Sequence, residues 1–488
     1  METITSSGQG DQNYDVVVVG NGALGQSLAL TLARRGHRVA MVGRPNRPWA
    51  ASAAAGAMLG CFGEITESLV ASEYGRLKLN LDVHAARMWP SWAAQLAEES
   101  GGEDVRTAEG TVVILNTIGV PGIDDVNYAA IQAELRRHDE PFSDVDPADL
   151  EWLDPDPGAR PLKAFHIPNE HAVNAAALLD QLHVAFVRAG GTVLPELATR
   201  VDYAHGRARG VVLESGSLVR GEHVVLAAGV RSQDLLATVP DVAATVPPLV
   251  SGYGVSALVR TGDGTAPGSV IRTPNRAFAC GLHVVPRGQG EVYVGATNII
   301  STDPVETAVI RDLDFLLDCA GAQVRRNLHN SGLHRVQVGN RPVALDGFPL
   351  LGEAGLSGLW MMTGTYRDGL HLSPLLAGEM ARRILGEEPE FELDAFRPVR
   401  APIQAATREE IVEGAVVHQL ATGYECDWKV PINWPSLIEA QLRPAYLKLA
   451  DDIDPTFTPP PELLDAARLQ PTLVKMLRDY YAASRVSA

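Results

Sequence analysis

A valine run that breaks into three spaced glycines constrains this chain more than any other feature. Asp15-Val16-Val17-Val18-Val19 is a continuous β-branched segment, the pattern of a strand covered on both faces. It leads into Gly20-Asn21-Gly22-Ala23-Leu24-Gly25 and then into a helical pattern through Arg35, carried by Leu24, Leu28 and Leu32 and ended by Gly36. His37-Arg38-Val39-Ala40-Met41-Val42 reads as a second strand. The whole is a βαβ unit with GxGxxG at its first turn, a setting in which the motif is specific. Gly20 permits the tight turn, Gly22 lets backbone approach a pyrophosphate, and Gly25 lets helix and strand pack closely. The first amides of the helix then face phosphate charge. A bound dinucleotide is expected.

The acid that usually takes the adenosine ribose hydroxyls is missing. Its place after the second strand is Gly43, followed by Arg44. Two readings stay open on these residues. Arg44 accommodates the 2′-phosphate of NADP, or FAD is bound with its ribose on backbone groups and neighbouring side chains. A small-residue run follows, Ala50-Ala51-Ser52-Ala53-Ala54-Ala55-Gly56-Ala57-Met58-Leu59-Gly60. It suits backbone lying close to a flat ligand; a small-residue helix packed on the sheet is the alternative.

Composition narrows the class. The chain has 488 residues, long enough for two or three domains and a core that needs no staple. A net charge of −18 argues against nucleic acid or an anionic membrane surface as partner. Cys61, Cys280, Cys319 and Cys426 include no CxxC pair, so neither a zinc site nor a redox dithiol is expected. The polar start, METITSSGQGDQNYD, has no signal-peptide pattern, and no apolar run is long enough to span a membrane. A cytoplasmic protein is expected.

Further along, helices are expected over 76–100, 174–188 and 305–320, and residues 128–138 and 147–151 read as helical or turn-like. His223-Val224-Val225-Leu226-Ala227-Ala228-Gly229 and Trp360-Met361-Met362-Thr363-Gly364 read as buried strands, the second running through Thr365-Tyr366-Arg367-Asp368-Gly369 into a helix from Leu370 to Leu385. Residues 249–300 alternate like an antiparallel sheet. The chain beyond 391 shows helical patterns over 408–420, 436–449 and 461–482.

Seven segments in this order resemble the glycine oxidase and D-amino-acid oxidase family of FAD-dependent oxidoreductases. They are Gly20–Gly25, Ser52–Leu59, Val224–Gly229, His283-Val284-Val285-Pro286-Arg287, Gly295-Ala296-Thr297, Asn340-Arg341-Pro342 with Asp346–Gly352, and Gly364–Pro374, across roughly residues 14–390. The resemblance implies an α/β fold. A Rossmann-like FAD-binding domain (14–85, 170–235, 340–390) is interleaved with an antiparallel substrate domain (86–169, 236–339), followed by a helical extension (391–488). It favours FAD over NADP. No His precedes Ser52 where some relatives attach the flavin covalently, so non-covalent FAD is expected. The residues expected at the cofactor are Gly20, Gly22, Ala23, Leu24, Gly25, Gly43, Arg44, Ala51, Ser52, Gly56, Ala57, Met58, Val201, Gly229, Thr365, Tyr366, Arg367, Asp368, Gly369, Leu370 and His371.

The resemblance places the substrate-carboxylate arginine at Arg341, which precedes a proline and is therefore extended. Its guanidinium fork suits a carboxylate. Arg367, His283 and Tyr253 are further expected catalytic residues. His283 stands where glycine oxidases of the family carry a Tyr, which implies a specialised substrate and a group titrating near pH ~6.5. No metal is expected. The implied activity is oxidation of a C–N bond in an amino acid or N-substituted glycine to an imine, with O₂ taken to hydrogen peroxide. A dehydrogenase using another electron carrier and a non-catalytic flavin subunit are the alternatives. The resemblance gives no reading for 391–488: a lid, a dimer arm and a packing appendix are all open, as is self-association.

Overall fold

The computed structural model describes residues 13–276 and 281–486; Cys280 and the polar start through Gln12 lie outside them. Two sheets organise the chain. The first carries strands Leu350–Glu353, Leu359–Thr363, Leu218–Leu226, Asn13–Val19, Val39–Val42 and Thr192–Leu194 in that order. Its inner pairs are parallel: Val17 opposite Val224 on one side and Ala40 on the other. The valines are buried because helices cover one face and the hairpin of Ala198–Ala204 and Arg207–Leu213 packs on the other.

Helix Ala23–Arg34 starts at Gly22 and turns off after Gly36 at φ +85°. It packs beside Ala175–Arg188, which Asn174 caps through Oδ1 on the amides of Ala176 and Ala177. Helix Glu73–Ser100 is capped by Ser72 and ends on Gly101 at φ +66°.

The second sheet runs Ile299–Ser301, Leu249–Arg260, Glu291–Gly295, His283–Gly288, Val270–Arg272, Thr111–Asn116, Pro161–Ile167, Ser143–Val145, with Gly332–Ala344 also paired to Leu249–Arg260. That last pair is a long antiparallel ladder in which Gly252 faces Arg341 and Val250 faces Val343.

Several expected elements differ in extent. The helix expected from Leu370 begins at Ser373, because Leu370–Leu372 form a turn and Pro374 sits in the first helical turn, where its missing amide costs nothing. The helix expected from 305 begins at Ile310. The pattern over 461–482 is two helices, Pro461–Ala467 and Pro471–Val486, separated at the second proline. The small-residue run is not a helix but a turn and short bridge. Residues 408–486 form helices Arg408–Glu425, Trp434–Ile453 and these two. They share one apolar cluster with Val250, Ile300, Val343 and Leu345 of the second sheet.

Candidate active site

One continuous cavity of about 540 Å³ runs from the turn after the first strand to the second sheet, within the ~300–1,000 Å³ of ligand sites. At the first end, Gly20 adopts φ +121°, and a Cβ there would lie 2.2 Å from the carbonyl oxygen of Ala227. Gly25 does not line the cavity; a Cβ on it would lie 1.9 Å from Gly20 O, so it serves close helix–strand packing alone. Gly22, by contrast, opens on the cavity, with only Ser52 Oγ near, at 3.2 Å from an added Cβ. Ala23, Leu24, Gly43, Ala51, Gly56, Ala57, Met58 and Gly229 also line it.

Ser52 has a protein partner: its Oγ accepts the amide of Ala23 at 3.1 Å, joining the small-residue run to the start of the helix. Arg44 is exposed and forks onto Glu214. Gly43 leaves room for Asn21, whose side chain a Cβ would meet at 2.7 Å. A residue without a motif contributes here. Arg47 lines the cavity, donates from Nε to Asn21 O at 2.8 Å, and has its pKa lowered by burial. Val201 is not at the cavity; its side chain is buried in the apolar core behind the first sheet.

The middle of the cavity is framed by Thr365–His371, all of which line it. Helix Glu73–Ser100 holds this turn from behind. Lys78 pairs with Asp368 and, at 3.1 Å, with Asp82. Trp89 Nε1 donates to His371 O at 2.7 Å. His371 donates from Nε2 to Asp82 O at 2.8 Å, and its buried Nδ1 has no partner among the described residues. The burial of Asp82 pushes its carboxyl up to about 7, against the pull of Lys78. Arg47, Trp49, Ala57 and Tyr366 all take positive φ, so four strained non-glycine residues gather on one cavity.

The far end carries Arg341, His283 and Arg367, three of the four expected catalytic residues. Arg341 donates from Nη1 to Thr297 O at 3.1 Å, Asn298 Oδ1 at 3.3 Å and Gly252 O at 3.4 Å. Among the described residues its Nε and Nη2 have no acceptor and it has no ion pair. Gly254 makes room for it: a Cβ there would lie 2.4 Å from Nη1. His283 is buried, stacks on Tyr293 at 5.7 Å and donates from Nδ1 to Gly281 O at 2.8 Å. Burial pushes its pKa down to about 4, so it is neutral at pH 7 and presents Nε2 as an acceptor. The expected group titrating near pH ~6.5 is therefore not His283.

Tyr253 lies on the other face of its strand and does not line the cavity. The alternation that turns Gly252 and Gly254 inward turns Tyr253 away, where its hydroxyl accepts the Val309 amide at 2.9 Å.

Glu64 was not legible as a site residue. It lines the cavity beyond the small-residue run, bonded to Arg272 at 2.5 Å and Asn275 at 2.6 Å. Burial opposes its charge, but Arg272 and then Arg367 hold its carboxyl well below the usual range.

A glycine cradle closed to added side chains, an amide-rich helix start, a small-residue wall and the orphaned Nδ1 of His371 fit a long, flat dinucleotide. The family model described as "DAO: FAD dependent oxidoreductase" matches residues 15–383. The chain belongs to this family. FAD is its cofactor, and the protein is an FAD-dependent oxidoreductase. It is 27% identical over 390 residues to the glycine oxidase of Geobacillus kaustophilus, covering 79% of this chain and 97% of that one. It is 25% identical over 397 residues to the bifunctional protein ThiO/ThiG of Trichormus variabilis, of which it spans 56%. The solved glycine oxidase from Geobacillus kaustophilus superposes with a TM-score of 0.68 at 24% identity, covering 80% of this chain and 99% of that one. The family match stops before the four C-terminal helices. Among the described residues no helix is long and apolar enough to cross a membrane, and no acidic, His or Cys group could hold a metal.

Proposed function

We propose that the protein oxidises a C–N bond next to a carboxylate, in an amino acid or N-substituted glycine, to an imine, and passes the electrons to O₂ as hydrogen peroxide. The observation that carries this is Arg341. Its Nε–Nη2 edge is left for a carboxylate at one end of a cavity whose other end is the dinucleotide turn. A bidentate guanidinium–carboxylate pair fixes the substrate's orientation as well as its affinity.

Bound FAD supplies the electron sink, taking the hydride that no side chain can accept. The chain's own residues orient and desolvate. Arg341 takes the carboxylate. Neutral His283 offers Nε2 to a substrate N–H and, with Tyr293 and Tyr366, keeps the chamber apolar between the charges. The turn Gly369–His371 presents amides and Nδ1 of His371 to the cofactor, held by Trp89 and Asp82. A side-chain base is not needed, because an amine that has already lost its ammonium proton gives up hydride directly. The named relatives include glycine oxidases, which supports the substrate class. A cytosolic setting suits the free thiols of Cys61, Cys319 and Cys426.

The test is flavin absorbance under argon across glycine, sarcosine, D-amino acids and larger N-substituted glycines. Bleaching by at least one is expected, with stoichiometric peroxide when air returns. No bleaching by any would refute the reading, and bleaching without peroxide would make the protein a dehydrogenase.

A further inference from the structure

Helix Arg408–Glu425 lies beyond the family match, and its last residue reaches back to the second sheet. Glu425 Oε2 meets Arg276 Nη1 at 2.6 Å, just past strand Val270–Arg272. The other edge of the same guanidinium is taken by Asp124, in the first turn of helix Asp124–Arg137: Nε and Nη2 donate to it at 2.8 and 3.3 Å. Arg276 is buried, so these charge-assisted contacts are made away from bulk water, where they are strong and directional.

Asn275, one peptide bond away, is fully buried and uses its whole side chain. Its Nδ2 donates to Glu64 O at 3.0 Å and to Glu64 Oε2 at 2.6 Å. Its Oδ1 accepts from Arg272 Nη2 at 2.6 Å and from the Gly281 amide at 2.7 Å. Gly281 is held close to Thr273, since a Cβ on it would lie 2.0 Å from Thr273 O. The Gly281 carbonyl accepts from His283 Nδ1 at 2.8 Å. A carbonyl can only accept, so the ring proton stays on Nδ1 and Nε2, beside Gly56 of the cavity wall, is left as the acceptor. Asn275 thus orients two cavity-lining residues, Glu64 directly and His283 through Gly281. Two helices tie this hub down. Helix Asp124–Arg137 does so through Asp124 and through Asn127, whose Nδ2 donates to Asn275 O at 2.7 Å; the extension does so through Glu425.

We propose that Glu425 is a positioning residue for the oxidation: by holding Arg276 it fixes the contact of Asn275 with Gly281, and so the tautomer and tilt of His283 against the substrate N–H. The inference rests on reading the chamber as an amino-acid site. Among the described residues none of the extension lines the cavity, so it acts only through this relay. Without Glu425, Nη1 of a buried guanidinium loses its acceptor, and Asp124 anchors Arg276 by one edge alone. Arg341 stands outside the relay, because its acceptors are Thr297, Asn298 and Gly252. Alignment of the amine should therefore suffer while carboxylate binding persists, a split that general loosening of the fold would not give.

The experiment uses the FAD-loaded full-length protein and its Glu425→Ala, Glu425→Gln and Arg276→Lys variants. Anaerobic flavin reduction by the most active amino acid should reach a limiting rate about tenfold lower in Glu425→Ala than in the wild type. Acetate, read by the flavin absorbance shift, should bind within about twofold of the wild type, with FAD content unchanged. Glu425→Gln should keep the rate within about threefold, because its amide oxygen still accepts from Arg276. Arg276→Lys cannot serve both carboxylates as a fork does; it should behave like Glu425→Ala and replaces it if that variant does not fold. Hydrogen exchange at the Gly281 amide should quicken by at least about fivefold in the same variant. An unchanged limiting rate overturns the proposal, as does a fall matched by equal loss of acetate or FAD. Unchanged exchange at Gly281 overturns it too. If no amino acid reduces the wild-type flavin, the oxidase reading fails by itself, and faster Gly281 exchange still upholds the tether from Glu425.

Discussion

The two ends of the cavity are built from opposite materials. At the end near the first strand the chain works by leaving side chains out. Gly20, Gly22 and the small-residue run expose backbone, and the one nearby hydroxyl, Ser52, is spent on the amide of Ala23. At the far end the chain works by bringing charges in. Arg341, Arg367 and Glu64, the last paired with Arg272, come from four separated stretches and stand beside a buried neutral His283. A backbone site depends on local conformation, so one added Cβ can close it. A side-chain site depends on partners, so it fails by losing a charge or a hydrogen bond.

Substitutions at the backbone end should have the largest effects. Gly25→Ala forces a Cβ to 1.9 Å from Gly20 O, a clash with backbone that cannot rotate away. It should cost more than ~3 kcal/mol and remove FAD and fold together, measured by thermal unfolding and flavin content. Gly22→Val separates the two, because its Cβ meets only Ser52 Oγ. This variant should remain folded and lose FAD; full FAD occupancy would break the assignment of this end.

The charged end should respond without loss of flavin. Arg341→Ala should raise the substrate concentration needed for half-maximal flavin reduction by the equivalent of about 2–5 kcal/mol, and Arg341→Lys should recover only part. Unchanged kinetics would move the carboxylate site to Arg367.

His283 makes a pH prediction. Its folded pKa is lowered to about 4, so the unfolded chain, with an ordinary His near ~6.5, binds the extra proton between those values. Its burial therefore destabilises the fold progressively as pH falls from about 6.5 to 4, by roughly 3 kcal/mol in all, and has no effect above. His283→Gln should be relatively more stable in that window than at pH 8. A stability difference independent of pH would mean that His283 is not held neutral.

The smallest effect tests Tyr366, which lines the cavity between its two ends. Tyr366→Phe removes one hydroxyl from the line to Asn298 and Arg341. It should weaken substrate by about 1 kcal/mol with FAD content unchanged. Equal weakening of FAD and substrate would assign Tyr366 to the cofactor alone.

The dinucleotide end was legible because its determinants are local. A buried valine run, three glycines and a following helix lie within one short stretch, and Gly25 is constrained by Gly20 in the same unit, although Gly20 is itself confined by Ala227 of a distant strand. The resemblance to glycine oxidases extended that reading to Arg341 and Arg367. It misplaced Tyr253 and Val201, because sequence order does not say which face of a strand meets the cavity. It missed Glu64 and Arg47, which belong to no motif. The charge state of His283 was also out of reach, since desolvation depends on Tyr293, Gly281 and the sheet around it.

The division follows from range. Strand, turn, helix and the need for a dinucleotide follow from residues a few positions apart, whose sterics and hydrogen bonds act along the chain. The partners of Arg341, the neutrality of His283 and the packing of the extension on Val250 and Val343 follow from contacts between segments far apart in the chain. Burial and Coulomb interactions act through space, and only the packed sheets and helices set those distances.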